Sequence, residues 1–213
     1  MTAIRKNAYE ARLTVEYPEH NLNRLSTALR FLYLIPIGIV LALLDGSTLN
    51  FGGGAEEGFR IGASGAGILA VPVLLMIVFR QKYPRWWFDF NVELARFSTR
   101  VCAYLALMSD KYPSTDEEQS VRLDIDYPNV EQDLNRWLPL VKWLLAIPHY
   151  IVLFFLCIAA VVAVIVAWFA VLFTGRYPRS IFDFVEGVLR WGLRVEAYAL
   201  LLVTDRYPPF SLQ

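Results

Sequence analysis

Asp183, Glu186, Arg190 and Arg194 stand at steps of three, four and four in a stretch otherwise rich in Phe, Val, Leu and Trp, and Asp89, Glu93, Arg96 and Arg100 repeat the pattern earlier in the chain. At 3.6 residues per turn each set forms one narrow polar stripe along a helix. Two acids beside two arginines could carry lipid chemistry, the acids moving protons while the guanidinium groups hold a phosphate. The same residues could equally be salt bridges that dock one helix on another, with Glu186 and Arg190 pairing at i, i+4. No nucleophile and base accompany either stripe, so no catalytic residue is assigned and an enzyme is not the expectation.

His149 lies in an apolar run, near the middle of an expected membrane span, where an ionisable group is a functional candidate by default. A neutral histidine hydrogen-bonded to a neighbouring helix accounts for it without a ligand. His20 sits in a loop, and no second His, Asp or Glu on the apolar runs offers metal-ligand company, so no metal, haem or other cofactor is expected. Cys102 and Cys157 sit in apolar runs without zinc or disulfide spacing and read as packing residues. The Gly-rich stretch 45–62 lacks the Lys-Ser/Thr of a phosphate-binding loop and reads as an external loop. Gly58, Gly62, Ala66 and Ala70, and likewise Ala159, Ala163 and Ala167, recur every four residues; such small-residue stripes are expected to face another helix.

What must position these groups follows from composition. The chain is 56% hydrophobic and only 19% charged, with a mean hydropathy of +0.42, which places it in the membrane class. Twenty basic residues balance twenty acidic ones, which removes the electrostatic footprint of a nucleic-acid binder. The first twenty residues contain no apolar core of a signal peptide, so the amino terminus is expected to start in the cytoplasm.

The chain also reads as a tandem duplication. Tyr83, Pro84, Arg85, Phe88, Asp89 and Phe90 recur 94 residues later as Tyr177, Pro178, Arg179, Phe182, Asp183 and Phe184, while Leu22-Asn23-Arg24 recurs 112 residues later as Leu134-Asn135-Arg136. The difference of 18 residues matches the Gly-rich stretch 45–62. Removing it sets a first repeat, 11–116, against a second, 121–213. Each holds two apolar segments, expected as spans at 24–44 and 63–79, then 136–156 and 157–173. Such lengths cover roughly 26 to 32 Å at 1.5 Å per residue, enough for a hydrocarbon core of about 30 Å. The second pair has no Gly or Pro for a turn, which leaves one long tilted helix open as the other reading. Charge selects the hairpin: of the twenty basic residues five lie at or before Arg30, nine from Arg80 to Lys142, five from Arg176 onward, and only Arg60 in the loop. By the positive-inside rule both termini and the central segment are then cytoplasmic, with an even number of crossings per repeat.

The striped segments follow each hairpin, at 88–108 and 181–203. As spans they would bury four charges at about 2.5–3.5 kcal/mol each against roughly a dozen apolar residues worth about 0.3–0.6 each, so they are expected flat in the cytoplasmic interface. Six Tyr-Pro dipeptides mark element boundaries at headgroup depth. "RLTVEYP" and "RLDIDYP" alternate apolar and polar residues and are expected as short strands, paired with one another or with a partner's edge. The fold class is thus an all-α integral membrane protein of two tandem repeats, each a transmembrane hairpin followed by an interfacial amphipathic helix, with short cytoplasmic strands before each hairpin.

From Arg136 to Phe210, through Ile147-Pro148-His149, the run from Trp168 to Pro178, Arg190-Trp191-x-x-Arg194-Val195-x-Ala197-Tyr198 and the closing Tyr207-Pro208-Pro209-Phe210, the chain resembles a prokaryotic membrane family known as domain of unknown function 4389. The first repeat is a degenerate copy, with Ile37 in place of His149. The resemblance implies a multi-pass protein of a prokaryotic cell membrane and supplies no chemistry. The functional expectation is a non-catalytic accessory or scaffold subunit of a larger membrane complex, binding lipid and other integral membrane subunits or further copies of itself. The alternatives are a small transporter or channel component with a path near His149, and a lipid-modifying enzyme.

Overall fold

A computed structural model describes residues 9–18, 22–44, 65–114 and 119–213. The expected loop 45–62, with Gly58, Arg60 and Gly62, lies outside the described residues, as does His20. The elements in chain order are β1 (Ala11–Val15), α1 (Arg24–Leu44), α2 (Gly65–Leu75, continued as a π-helical turn Met76–Arg80), α3 (Arg85–Leu105), β2 (Val121–Ile125), α4 (Val130–Asp133), α5 (Pro139–Leu145), α6 (Ile147–Thr174) and α7 (Arg179–Ala199).

The two alternating stretches pair with each other. β1 and β2 form an antiparallel ribbon with Leu13 opposite Leu123 and Arg12 opposite Asp124. Their alternate residues Ala11, Leu13, Val15, Val121 and Leu123 point into the core, while Thr14, Arg122 and Asp124 face outward, as a half-buried strand requires. α3 and α7 begin three and two residues earlier than the sequence pattern placed them, because Pro84 and Pro178 take the cap position and the chain turns helical at the next residue. Both end in the same way, with Leu107 and Leu202 in left-handed backbone at φ 64° and 56°. No β-turn glycine stands at either place, so packing holds each leucine there; both are buried.

The second hairpin is corrected. α6 runs unbroken through 156 and 157, where the turn was expected, because "FFLCIAAVV" contains nothing that ends a helix. Its real interruption is earlier, at Ala146 beside Pro148, where α5 stops and α6 begins. Among the described residues α6 is the one helix long and apolar enough to cross a membrane, with 28 residues and a mean hydropathy of 3.1 in its most apolar window. α1 keeps its expected bounds, 24–44, and α2 with its π turn occupies most of 63–79.

The core is layered. α6 turns through Gly175 into α7 and the two pack antiparallel, α7 lies against β1, and α3 lies against β2. Val73 and Ile77 of α2, Ala167 and Val171 of α6, Phe182 and Val185 of α7, and the inward ribbon residues share one apolar cluster. α1 is tied to α6 where Trp168 Nε1 donates to the Thr27 carbonyl at 3.1 Å.

Candidate functional site

The arginines of the polar stripes turn toward the ribbon and the adjoining chain. Arg190 donates through Nε to the Leu13 carbonyl at 3.2 Å and through Nη2 to Glu186 at 2.6 Å, and the same Glu186 oxygen accepts the Val15 backbone N–H at 3.2 Å. Arg96 does the same on the other strand, reaching the Leu123 carbonyl at 3.1 Å through Nη2 while pairing with Glu93. Of the two directions open to an interfacial helix, toward water or toward the other half, these arginines take the second, where the strand backbone offers the partners that water would otherwise supply. Asp89 and Asp183 remain outside, each held by the arginine four residues before it at 3.6 and 3.5 Å. Arg100 donates to the Ser114 carbonyl at 2.6 Å, and Arg194 reaches the Ser211 and Gln213 carbonyls.

These contacts are made twice, and each time across the two halves of the chain. The Tyr17 hydroxyl donates to the Tyr177 carbonyl and the Tyr127 hydroxyl to the Tyr83 carbonyl. Arg179 lies over Tyr17 and Arg85 over Tyr127, at 4.5 and 4.9 Å from the ring centres. Beyond α3 and α7 the chain bends back to clamp the start of an apolar helix. Asp110 accepts the Asn23 N–H and pairs with buried Arg30; Asp205 accepts the Asn135 N–H and pairs with buried Lys142 at 2.7 Å. The carbonyls beside each aspartate complete the sites, Ser109 for Arg30 at 3.0 Å and Thr204 for Lys142 at 2.6 Å. Two fully buried cations are therefore each matched by a carboxylate and carbonyl oxygens, the arrangement that offsets their desolvation.

Where the halves differ is at His149. It is the third residue of α6 and not mid-span, a correction that follows from the start of α6 at Ile147. Trp191 Nε1 donates to its Nδ1 at 3.1 Å; indole is a donor only, so the imidazole is neutral and carries its proton on Nε2. The Phe210 ring stacks on it at 4.0 Å with 15° between planes, and Tyr207 tilts against it at 4.8 Å. These rings arrive on a C-terminal strap, residues 206–213, which passes over α7 at Gly187: a Cβ there would meet the Leu212 carbonyl oxygen at 2.8 Å. His149 is fully buried. In the first half Ile37, Phe97 and Val101, which stand 112, 94 and 94 residues before His149, Trp191 and Val195, form a small apolar cluster.

Ile147-Pro148-His149, Arg190-Trp191-x-x-Arg194 and Tyr207-Pro208-Pro209-Phe210 are distant in sequence and meet here. Residues 137–211 match a family described as Domain of unknown function (DUF4389). The match runs from the start of α5 into the strap and so takes in every residue around His149. No curated protein and no solved structure matches the chain.

The small-residue stripe of α6 is buried at one end and exposed at the other. Ala167 is buried, Ala163 partly so and Ala159 exposed; the face that packs runs through Leu153, Leu156, Ala160, Val164, Ala167 and Val171. Ala70 borders a small cavity of about 50 Å³ with Asn91, Ala95 and Leu200, and the side chain of Ala66 is outside the described set. Among the described residues no group of three or more His, Cys, Asp or Glu could hold a metal ion. A cleft of about 590 Å³ on the ribbon side is lined by Arg12, Arg190, Arg194 and Arg206, each engaged with an acid or a carbonyl. The buried cations, the strap and the exchange of strand and helix between halves gave no periodic signal in the sequence; only the repeated "SDKYP" and "TDRYP" hinted at the clamps.

Proposed function

We propose that the chain is a non-catalytic accessory or scaffold subunit of a prokaryotic membrane complex, built from two copies of one unit with a degenerate first copy, and that its outward apolar surface holds lipid or a neighbouring subunit. One observation carries the reading: the arginines of both stripes and Glu186 are engaged with the fold, whereas α6 leaves Ile151, Phe154, Phe155, Val161, Val162 and Phe173 exposed. A contiguous apolar surface of that kind marks a lipid or protein contact. The contacts that recur between Tyr17 and Tyr177, and between Tyr127 and Tyr83, support the duplication.

The lipid-enzyme reading draws less support, since the best-placed acid, Glu186, already accepts from Arg190 and from Val15. A transport path at His149 draws less as well, because that ring is stacked under Phe210 and bonded to Trp191. Gentle detergent extraction from native membranes, followed by identification of chains present in fixed ratio, tests the scaffold reading. Fixed-ratio partner chains are expected; a monodisperse lone monomer would remove it.

A further inference from the structure

β1, α7 and α6 lie lengthwise on one another. The Tyr9 hydroxyl reaches the Arg194 carbonyl, Leu13 meets Arg190, Val15 meets Glu186 and Tyr17 meets Tyr177, so the strand is tied to the helix along its whole length. From Leu13 to Val15 the strand rises about 7 Å at 3.3 Å per residue, and from Arg190 to Glu186 the helix rises about 6 Å at 1.5 Å per residue. The matched rises keep the strand and the helix side by side. α6 is fixed to α7 in the same lengthwise manner: His149 sits at Trp191 near one end, and Gly175 joins the two at the other. Each end of α5–α6 is also tied to the ribbon side of the fold, the Tyr207 hydroxyl donating to the Leu145 carbonyl and the Leu22 N–H to the Gly175 carbonyl.

A helix cannot then cross a bilayer without taking the ribbon with it. The outward ribbon side carries the ion pairs Arg12–Asp126 and Arg122–Glu16, whose side chains are 36% to 69% exposed. Upright, these charges would lie at hydrocarbon depth, where neither water nor a further protein layer meets them. The opposite side has the contrary chemistry: the exposed face of α6 is free of charge from Ile151 to Phe173. Exposed Trp137 and Trp143 precede it and Arg176 follows it, side chains suited to the headgroup boundary.

We infer that α6 lies flat in one leaflet, its outer face among acyl chains and the charged ribbon in water on the same side, so that the partner of this surface is a single lipid leaflet and α6 does not cross the bilayer. The inference rests on the membrane location proposed above and replaces the two crossings expected from the sequence at 136–156 and 157–173.

The test uses the full chain with Cys102→Ser and Cys157→Ser, reconstituted in vesicles of phosphatidylcholine and phosphatidylglycerol. Single cysteines at Ile151, Val162 and Phe173, all exposed and eleven residues apart on one helix face, carry nitroxide labels whose depth is read from the ratio of oxygen to nickel-chelate collisions. Equal depth at all three is expected. A label at Val162→Cys that is deep while those at Ile151→Cys and Phe173→Cys are shallow would overturn the inference and leave a membrane location standing. Three labels equally open to the chelate, with the chain failing to pellet with the vesicles, would instead remove the membrane location itself. In a second arm, a membrane-impermeant maleimide added to sealed vesicles should modify Trp137→Cys, Asp124→Cys and Arg176→Cys in the same population; protection of only Trp137→Cys or only Arg176→Cys would show a crossing.

Discussion

His149, Trp191 and Val195 stand 112, 94 and 94 residues after Ile37, Phe97 and Val101, and each set meets in the fold. Both clusters join an apolar helix to an amphipathic one, and both sit beside an aspartate clamp with a buried cation. The first does this with apolar side chains alone, whereas the second uses an indole–imidazole hydrogen bond and two rings brought by the strap. The first joint holds its helices together without a histidine. What sets the second half apart is a polar, aromatic joint that locks the chain's C-terminal residues down. That joint falls inside the matched segment 137–211, while the clamps and the ribbon contacts are common to both halves.

The largest effect is expected where the halves agree. Asp205→Ala would strand Lys142, and Asp110→Ala would strand Arg30, each cation being almost fully buried. Removing one partner of a buried pair destabilises by about 3–5 kcal/mol. Thermal unfolding of the purified chain in detergent should show both variants losing stability to a similar extent. A large loss in one and none in the other would break the equivalence of the two clamps.

Next is the exchange of one joint for the other. His149→Ile leaves the Trp191 N–H buried without an acceptor, which costs about 1–3 kcal/mol. Adding Trp191→Phe recreates the first-half pairing of Ile37 with Phe97 and should recover most of that loss, so the double-mutant cycle should show a coupling of about 1 kcal/mol or more. Additive losses would mean that the hydrogen bond at 3.1 Å contributes nothing.

A smaller effect separates two glycines of α7. Gly187→Ala places a Cβ at 2.8 Å from the Leu212 carbonyl, so the strap must move; Gly192 has nothing within 4 Å, so Gly192→Ala only gains helix propensity, about 0.5–1 kcal/mol. Carboxypeptidase digestion should trim the Gly187→Ala chain faster than the parent and leave the Gly192→Ala rate unchanged. Equal trimming of all three would show that the strap does not rest on Gly187.

Much of the local structure was legible. The period-two stretches became the ribbon, α1 kept its bounds, and the two striped helices were placed within a few residues. Those features depend on near neighbours in the chain, which a pattern reads directly. The error over α6 has a specific cause. The expectation of a second hairpin came from matching the second half to the first, whereas the absence of Gly and Pro near Cys157 was the better signal. The exchange of strands was illegible for a different reason: Leu13 meets Arg190 across 177 positions, and backbone carbonyls that accept from side chains leave no trace in residue type. His149 stands out in the sequence as an ionisable group in an apolar run, but its partner Trp191 lies 42 residues on and reads as part of an apolar face.

The smallest effect concerns the Tyr-Pro corners, where the halves again agree. Burial pushes Tyr83 up to about 12 from the ordinary phenol value, and burial raises Tyr177 as well; both hydroxyls lie inside the fold with the rings edge-on to Phe88 and Phe182. A phenol whose folded pKa is raised holds its proton more tightly when folded than unfolded. Its contribution is therefore complete below the unfolded value and falls away as pH rises from about 10 toward 12. Nothing should change at neutral pH. Stability followed by unfolding in detergent should decline above about pH 10, and both Tyr83→Phe and Tyr177→Phe should flatten that decline. If only one of them does, the corners differ in water access even though their contacts match, and the likeness of the two halves would end at the clamps and the ribbon.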